Sequence, residues 1–373
     1  MIIKRNLLLL TILAFLLLAG GQWMSGRGRI MEFTNFRGRV QKVASQDDWK
    51  LKRKQILIGM EDAMGVLPPP PVTAGFDTTM TGTVTRERHT RIAFNFEVAP
   101  GERLFAYLYI PEGTPGPGGF PAVLALHGTG PLGKKYVDGE GNLQNRAYGR
   151  ELADRGYVVI APDYPDMGEL SNYNFGGDRY VSGTMKALFN HLRCIDYLQS
   201  LPFVNDSAIG AIGHSLGGHN AIFAGAFDPR IKVVVSSCGW TLMDYYDIGE
   251  VAIQRYGGRL GPWAQERYMP LLRTLFRLDP AKIPFDFDEA IAAIAPRAFF
   301  SSSPVNDANF DVEGVRLGIQ EVRKVYRFFR AEDNLRVIYP DAAHDFPPSA
   351  REEAYLFMDR FLKTGSSIEP PKK

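Results

Sequence analysis

Two cysteines, Cys194 and Cys238, are all that the 373-residue chain contains. That is too few for a disulfide-stapled scaffold, and neither sits in the Cys-x-x-Cys or Cys/His spacing of a structural zinc site. An excess of charge is lacking too: 43 lysines and arginines against 41 aspartates and glutamates leave a formal net charge of +2. No global field therefore gathers nucleic acid or an anionic partner, and recognition has to be local. Also missing is an apolar run of about 20 residues, the length that spans a bilayer. The longest, Leu7–Leu18, is shorter, which excludes a multi-span membrane protein. No segment repeats at a fixed period. With 45% hydrophobic and 23% charged residues the composition is that of an ordinary globular chain. The length suits two domains, or one large α/β domain with extensions.

Lys4 and Arg5 precede the Leu7–Leu18 run, which ends in Ala19-Gly20-Gly21. A positive start, a short apolar stretch and small residues at a cleavage site read as a secretory signal over residues 1–21. Secreted or periplasmic location follows, with an uncleaved membrane anchor as the alternative. Residues 22–75 read as an N-terminal extension, basic at first, with a helix-compatible stretch at Trp49–Met64 and a Pro68–Pro71 tether.

From Thr81 to Ile110 apolar and polar residues alternate loosely, the period of half-buried antiparallel strands. From Pro121 onward the pattern changes to short, continuously apolar runs: Val123–Leu126, Tyr157–Ala161, Ile209–Gly213, Ile231–Val235, Ala298–Phe300 and Leu335–Tyr339. Such runs suit strands buried on both faces. Between them Arg146–Arg155, Val181–Leu201, Leu216–Phe227 and Val312–Ala331 are long enough for crossover helices. The expected fold is α/β, a mostly parallel central sheet flanked by helices on both faces. It would occupy residues 76–364, with a small lid-like insertion at about 240–290 and a tail at 365–373.

In such sheets ligands bind beyond the carboxyl ends of the strands. One of those ends runs Gly213-His214-Ser215-Leu216-Gly217 into a helix-compatible stretch. Glycines two before and two after a serine fit a strained strand-turn-helix corner where a β-carbon would clash. The helix points its unpaired N–H groups toward the serine. Serine is a poor nucleophile without a base, and the base needs an orienting group. Asp307 lies in the loop after Ala298–Phe300, and His344 in the loop after Leu335–Tyr339. Asp311, four residues on from Asp307, is the alternative acid.

The Gly-x-Ser-x-Gly corner and the order Ser215, Asp307, His344 resemble the α/β-hydrolase superfamily over roughly Thr81–Thr364. Gly213–Tyr246 with Ala298–Pro348 is similar to the branch of dienelactone-hydrolase-like, acetyl-xylan-esterase-like and prolyl-oligopeptidase-like catalytic domains. Dienelactone hydrolases use a cysteine nucleophile where this chain has Ser215. Prolyl oligopeptidases carry a β-propeller for which the residues before Pro121 are too few.

The resemblance implies a serine esterase acting through an acyl-enzyme on a small-molecule or carbohydrate ester, without cofactor, metal or nucleic-acid partner. A peptidase or amidase, or a catalytically silent binding protein on the same fold, is the alternative. It also implies an oxyanion hole from the N–H groups of Thr129, in His127-Gly128-Thr129-Gly130, and of Leu216. His127 reads as structural, and His214 and His219 as packing residues. Asp341 and Asp345 read as turn or capping residues, and both cysteines as buried. The aromatics of Gly257–Pro284 either wall the pocket or pack on the sheet.

Overall fold

The computed structural model describes residues 30–70 and 75–363. The signal-like segment at 1–21 and the tail at 365–373 lie outside the described residues. A hairpin of β1 (Glu32–Thr34) and β2 (Val40–Lys42) leads to α1 (Gln46–Met64). Strands β3 (Thr78–Thr85), β4 (His89–Ala99), β5 (Glu102–Pro111) and β6 (Phe120–Leu126) follow. Then come α2 (Tyr148–Asp154), β7 (Val158–Pro162), α3 (Gly183–Ser200), β8 (Val204–His214), α4 (Leu216–Phe227) and β9 (Ile231–Ser237). The insertion carries α5 (Glu250–Tyr256), α6 (Leu271–Thr274) and α7 (Phe287–Ala292). The chain closes with β10 (Ala298–Ser302), α8 (Val312–Phe328), β11 (Leu335–Ile338) and α9 (Pro348–Leu362).

Nine strands form one sheet in the order β11-β10-β9-β8-β6-β7-β5-β4-β3. The pairs from β11 through β7 are parallel, and β7-β5, β5-β4 and β4-β3 are antiparallel. This is the expected architecture, and its antiparallel side is the alternating stretch of the sequence. Successive strand residues point to opposite faces. Leu124, Ile160, Ala211, Val234 and Phe299 therefore join one core with residues of α3, α4 and α8, while Val123, Val159, Ile212, Val235 and Phe300 join a second with residues of α2 and α9.

The N-terminal extension is docked. Ser45 and Asp48 cap the start of α1 reciprocally. Lys52 Nζ reaches Glu289 at 2.7 Å, and Arg53 donates to the backbone oxygens of Ala293 and Ala226. Among the described residues no helix is long and apolar enough to cross a membrane.

Just past β7 a buried ion pair pins two loops beside the pocket. Lys134 Nζ meets Asp163 Oδ2 at 2.5 Å, and Asp163 also accepts the backbone N–H groups of Lys134 and Glu169 at 2.8 and 3.0 Å. Removing Asp163 leaves buried Lys134 with only the half-exposed Glu169, 2.9 Å away, as a partner, and breaking such a buried pair costs about 3–5 kcal/mol. Asp163→Ala is expected to lose stability on that scale in urea unfolding, with Asp163→Asn intermediate; a wild-type midpoint for Asp163→Ala would contradict this account.

Candidate active site

The sharpest backbone feature of the sheet lies where β8 meets α4. Ser215 takes φ +57° and ψ −121°, a conformation that side-chain-bearing residues adopt only under constraint. The constraint is close packing: a β-carbon on Gly217 would lie 1.9 Å from the Leu126 carbonyl oxygen, and one on Gly213 would lie 2.1 Å from the Gly217 oxygen. The glycines let β6, β8 and α4 converge and leave Ser215 at the tip.

The structure brings Ser215, His344 and Asp307 together. Ser215 Oγ donates to His344 Nε2 at 2.9 Å, and His344 Nδ1 donates to both Asp307 carboxylate oxygens at 2.9 Å. Asp307 Oδ1 also accepts the backbone N–H groups of Asn309 and Phe310 at 2.8 and 3.2 Å. Its side chain is 1% exposed and that of His344 24%, so the acid is fixed inside and the imidazole faces the pocket. Asp311 instead accepts the Glu313 N–H at 2.8 Å and caps α8, which removes it as the orienting acid.

Beneath this chain, His214 Nδ1 lies 3.1 Å from Ser237 Oγ, and its ring lies 4.9 Å from that of His344. Cys238, at φ +47°, donates from Sγ to the Asp345 carbonyl at 3.2 Å. Cys238, Asp307 and His344 hold their ligand atoms within 4.8 Å of one another. The carboxylate and imidazole are engaged with each other and with Ser215. Burial, with the Asp307 carboxylate nearby, pushes the thiol well up and keeps its proton on. That donor set is spent on its own hydrogen bonds.

Asp345 exceeds the turn role expected of it. Arg146 Nη1 pairs with it at 2.6 Å, Asn145 Nδ2 donates to it at 2.7 Å, and Arg146 Nη2 reaches the His344 carbonyl at 3.2 Å. The loop that presents the imidazole is thereby clamped by the segment that leads into α2. Asp341 accepts Asn306 Nδ2 at 2.9 Å, a contact within the loop pair. His127 is structural, as expected: its Nδ1 donates to the Gly128 oxygen at 2.7 Å and its Nε2 accepts the Tyr164 N–H at 3.1 Å.

Ser215 and His344 open into a pocket of about 450 Å³ that Thr129 and Leu216 also line. Tyr246, Trp263 and Phe310 supply aromatic walls, and His219 packs its ring 4.5 Å from that of Trp263. In the insertion the two expected roles overlap: Tyr268 faces the pocket, Met269 and Leu272 are buried in the core, and Trp263 lines the pocket while belonging to that core. Arg146, Gln265, Arg267 and Asn309 also line the pocket, the first three without any sequence signal. Asn309 and Phe310 follow Asp307 closely enough that the loop itself was the available clue.

Among proteins of known description, a family profile for "Glucuronyl esterase, fungi" matches residues 172–329. YtaP of Bacillus subtilis, whose name assigns it to the hydrolases, is 30% identical over 272 residues, covering 70% of this chain and 84% of that protein. The chain belongs to the serine-esterase superfamily of α/β-hydrolases. The hydrolase is also 25% identical over 339 residues to 4-O-methyl-glucuronoyl methylesterase 1 of Wolfiporia cocos, covering 86% of this chain and 78% of that one. A glucuronoyl esterase structure from Solibacter usitatus superposes with a TM-score of 0.64 at 19% identity, covering 87% of this chain and 95% of the other, which shows the shared fold.

Four buried histidines in and around the site stay neutral in the folded hydrolase. Burial lowers His191 and His219 to about 3, pushes His214 well down, and lowers His127 against the pull of Asp163. Unfolding frees each to take a proton below an ordinary histidine pKa of about 6.5. Their contribution to stability is therefore complete above that pH and is lost as pH falls toward the folded-state values, at about 1.4 kcal/mol per pH unit per histidine. His219→Phe is expected to flatten the pH dependence of the urea midpoint between pH 6 and 4 by one proton; an unchanged slope would contradict this.

Proposed function

We propose that the enzyme hydrolyses a carboxylic ester through an acyl-enzyme formed on Ser215. His344 Nε2 takes the hydroxyl proton as Ser215 Oγ attacks the ester carbonyl. It returns that proton to the departing alcohol oxygen when the ester C–O bond breaks. A water molecule then gives its proton to His344 and attacks the acyl-serine carbonyl, releasing the carboxylic acid and restoring the serine O–H. Asp307 holds the imidazole with Nδ1 protonated and steadies the imidazolium that forms in each half-reaction.

The N–H groups of Thr129 and Leu216 receive the negative charge on the carbonyl oxygen. Each such donor is worth about 3 kcal/mol in the transition state. Leu216 is suited to this because the first N–H groups of a helix have no intrahelical acceptor. The observation that supports the reading most directly is the continuous hydrogen-bonded series from buried Asp307 through His344 to Ser215 at the pocket floor.

For the substrate we propose the ester of a sugar acid with a small or polymeric alcohol. The curated relative and the structural neighbour described above both act by name on uronoyl esters. The pocket suits a polar, ring-sized acyl group: it is lined by aromatic side chains with Gln265, Asn309 and Arg267 among them, and among the described residues no carboxylate lines it. We further propose that the enzyme works outside the cytoplasm, on the strength of Lys4, Arg5 and the Leu7–Leu18 run followed by small residues.

The test compares methyl glucuronate with p-nitrophenyl acetate and its amide counterpart, for wild type, Ser215→Ala and Asp307→Asn. Ser215→Ala is expected to lose about 10⁶-fold of kcat, and Asp307→Asn about 10⁴-fold, by analogy with other triads. The uronate ester should be the best substrate and the amide the worst, and a chelator should leave the rates unchanged. Equal rates for wild type and Ser215→Ala would defeat the acyl-enzyme reading. A preference for acetate over uronate would defeat only the substrate assignment.

A further inference from the structure

The insertion reaches the floor of the site through one side chain. Tyr268 Oη lies 3.0 Å from Thr129 Oγ1, across the pocket from the segment that carries the tyrosine. Its ring packs against a small cluster made of Tyr164, Met167, Ala187 and Leu216. That cluster holds the oxyanion turn as well, since the Gly130 N–H donates to Met167 Sδ at 3.5 Å. One residue thus contacts Thr129 by its hydroxyl and packs by its ring on the cluster that contains Leu216.

The segment that presents Tyr268 is itself held firmly. Gly183 and Thr184, at the start of α3, donate their N–H groups to the Glu266 and Tyr268 oxygens at 2.8 and 3.1 Å. Tyr164 Oη donates to the Arg267 oxygen at 2.7 Å. The two backbones approach so closely that a β-carbon on Gly183 would lie 2.3 Å from the Arg267 oxygen. Burial raises the Tyr268 phenol, so it stays protonated. Thr129, by contrast, sits on an exposed turn.

A backbone donor stabilises an oxyanion only when it is fixed within a few tenths of an ångström of its productive place. An exposed turn does not provide that by itself.

We propose that Tyr268 is a positioning residue for the oxyanion hole, holding Thr129 through its hydroxyl while its ring backs the cluster of Leu216. The inference rests on the reading of Ser215 as nucleophile and of the Thr129 and Leu216 N–H groups as oxyanion donors. The insertion is then more than a cover over the substrate: its rigid segment sets the geometry of the charge-stabilising groups.

The experiment is a double-mutant cycle on the full chain with Tyr268→Phe, Thr129→Val and both together, with Thr129→Ser as the conservative control. Each single variant is expected to lower kcat about tenfold with KM within about twofold, the mark of an interaction felt in the transition state. The double variant should be no slower than either single one, because both remove the same bond. Thr129→Ser keeps a hydroxyl and should restore the rate. Affinity for a trifluoromethyl ketone, which a serine nucleophile converts to an anionic hemiketal, should fall by the same factor as kcat.

Unchanged kcat in both single variants, a loss confined to KM, or losses that multiply in the double variant would each overturn the proposal. Should Tyr268→Phe fold poorly, Thr129→Val alone decides between them through its kcat and ketone affinity. Ser215→Ala is run alongside. Loss of turnover there with no effect of Tyr268→Phe or Thr129→Val overturns this inference alone, whereas full turnover in Ser215→Ala overturns the underlying reading and the inference with it.

Discussion

Everything at the site hangs on one backbone contact, the approach of Gly217 to the Leu126 carbonyl. It brings the end of β6 against the first turn of α4. In that gap the chain can turn only by forcing Ser215 into positive φ. The same contact sets the Leu126–Gly130 turn beside the helix start, so the proposed nucleophile and oxyanion donors share one origin. A strained residue survives only where its surroundings over-determine it. Here they do so through glycines that admit no side chain and through the Ser215 N–H, which donates to the Ser237 oxygen at 2.8 Å.

Around this corner the protein keeps polar groups dry and neutral. His214, buried against Ser237, lies beside the His344 imidazole; because burial keeps His214 uncharged, it adds no cation next to His344. Arg146 holds the His344 backbone carbonyl, and Asp345 neutralises its charge at close range. The ring itself is held by the Asp307 carboxylate. Such preorganisation is what lets a static arrangement of dipoles act on a developing charge.

Much of this was legible in the sequence because it depends on local pattern. Continuous apolar runs named the strands, and the glycine spacing around Ser215 named the corner. Of the loops after two later strands, one held Asp307 and Asp311 and the other held His344. Asp307 and Asp311 could not be separated that way, since four residues in a loop place a carboxylate either against an imidazole or on a helix start, and only the path of the backbone decides. Arg146 and Asp345 are 199 residues apart, and neither has a neighbour that announces the other. In the insertion the helices are short, so no periodicity separates pocket-facing Tyr268 from buried Met269 and Leu272.

The docking of α1 bears on how the chain comes together in time. Arg53 reaches the Ala226 oxygen, at the far end of the helix that begins beside Ser215, across 173 residues of chain, and the Ala293 oxygen across 240. Contacts of such long range form late, because the intervening loop must close first. A chain that emerges amino end first therefore exposes α1 well before its seat exists. The last turn of the helix that begins beside Ser215 is completed by a segment made well before it, so the scaffold of Ser215 closes only when the two ends of that interval meet.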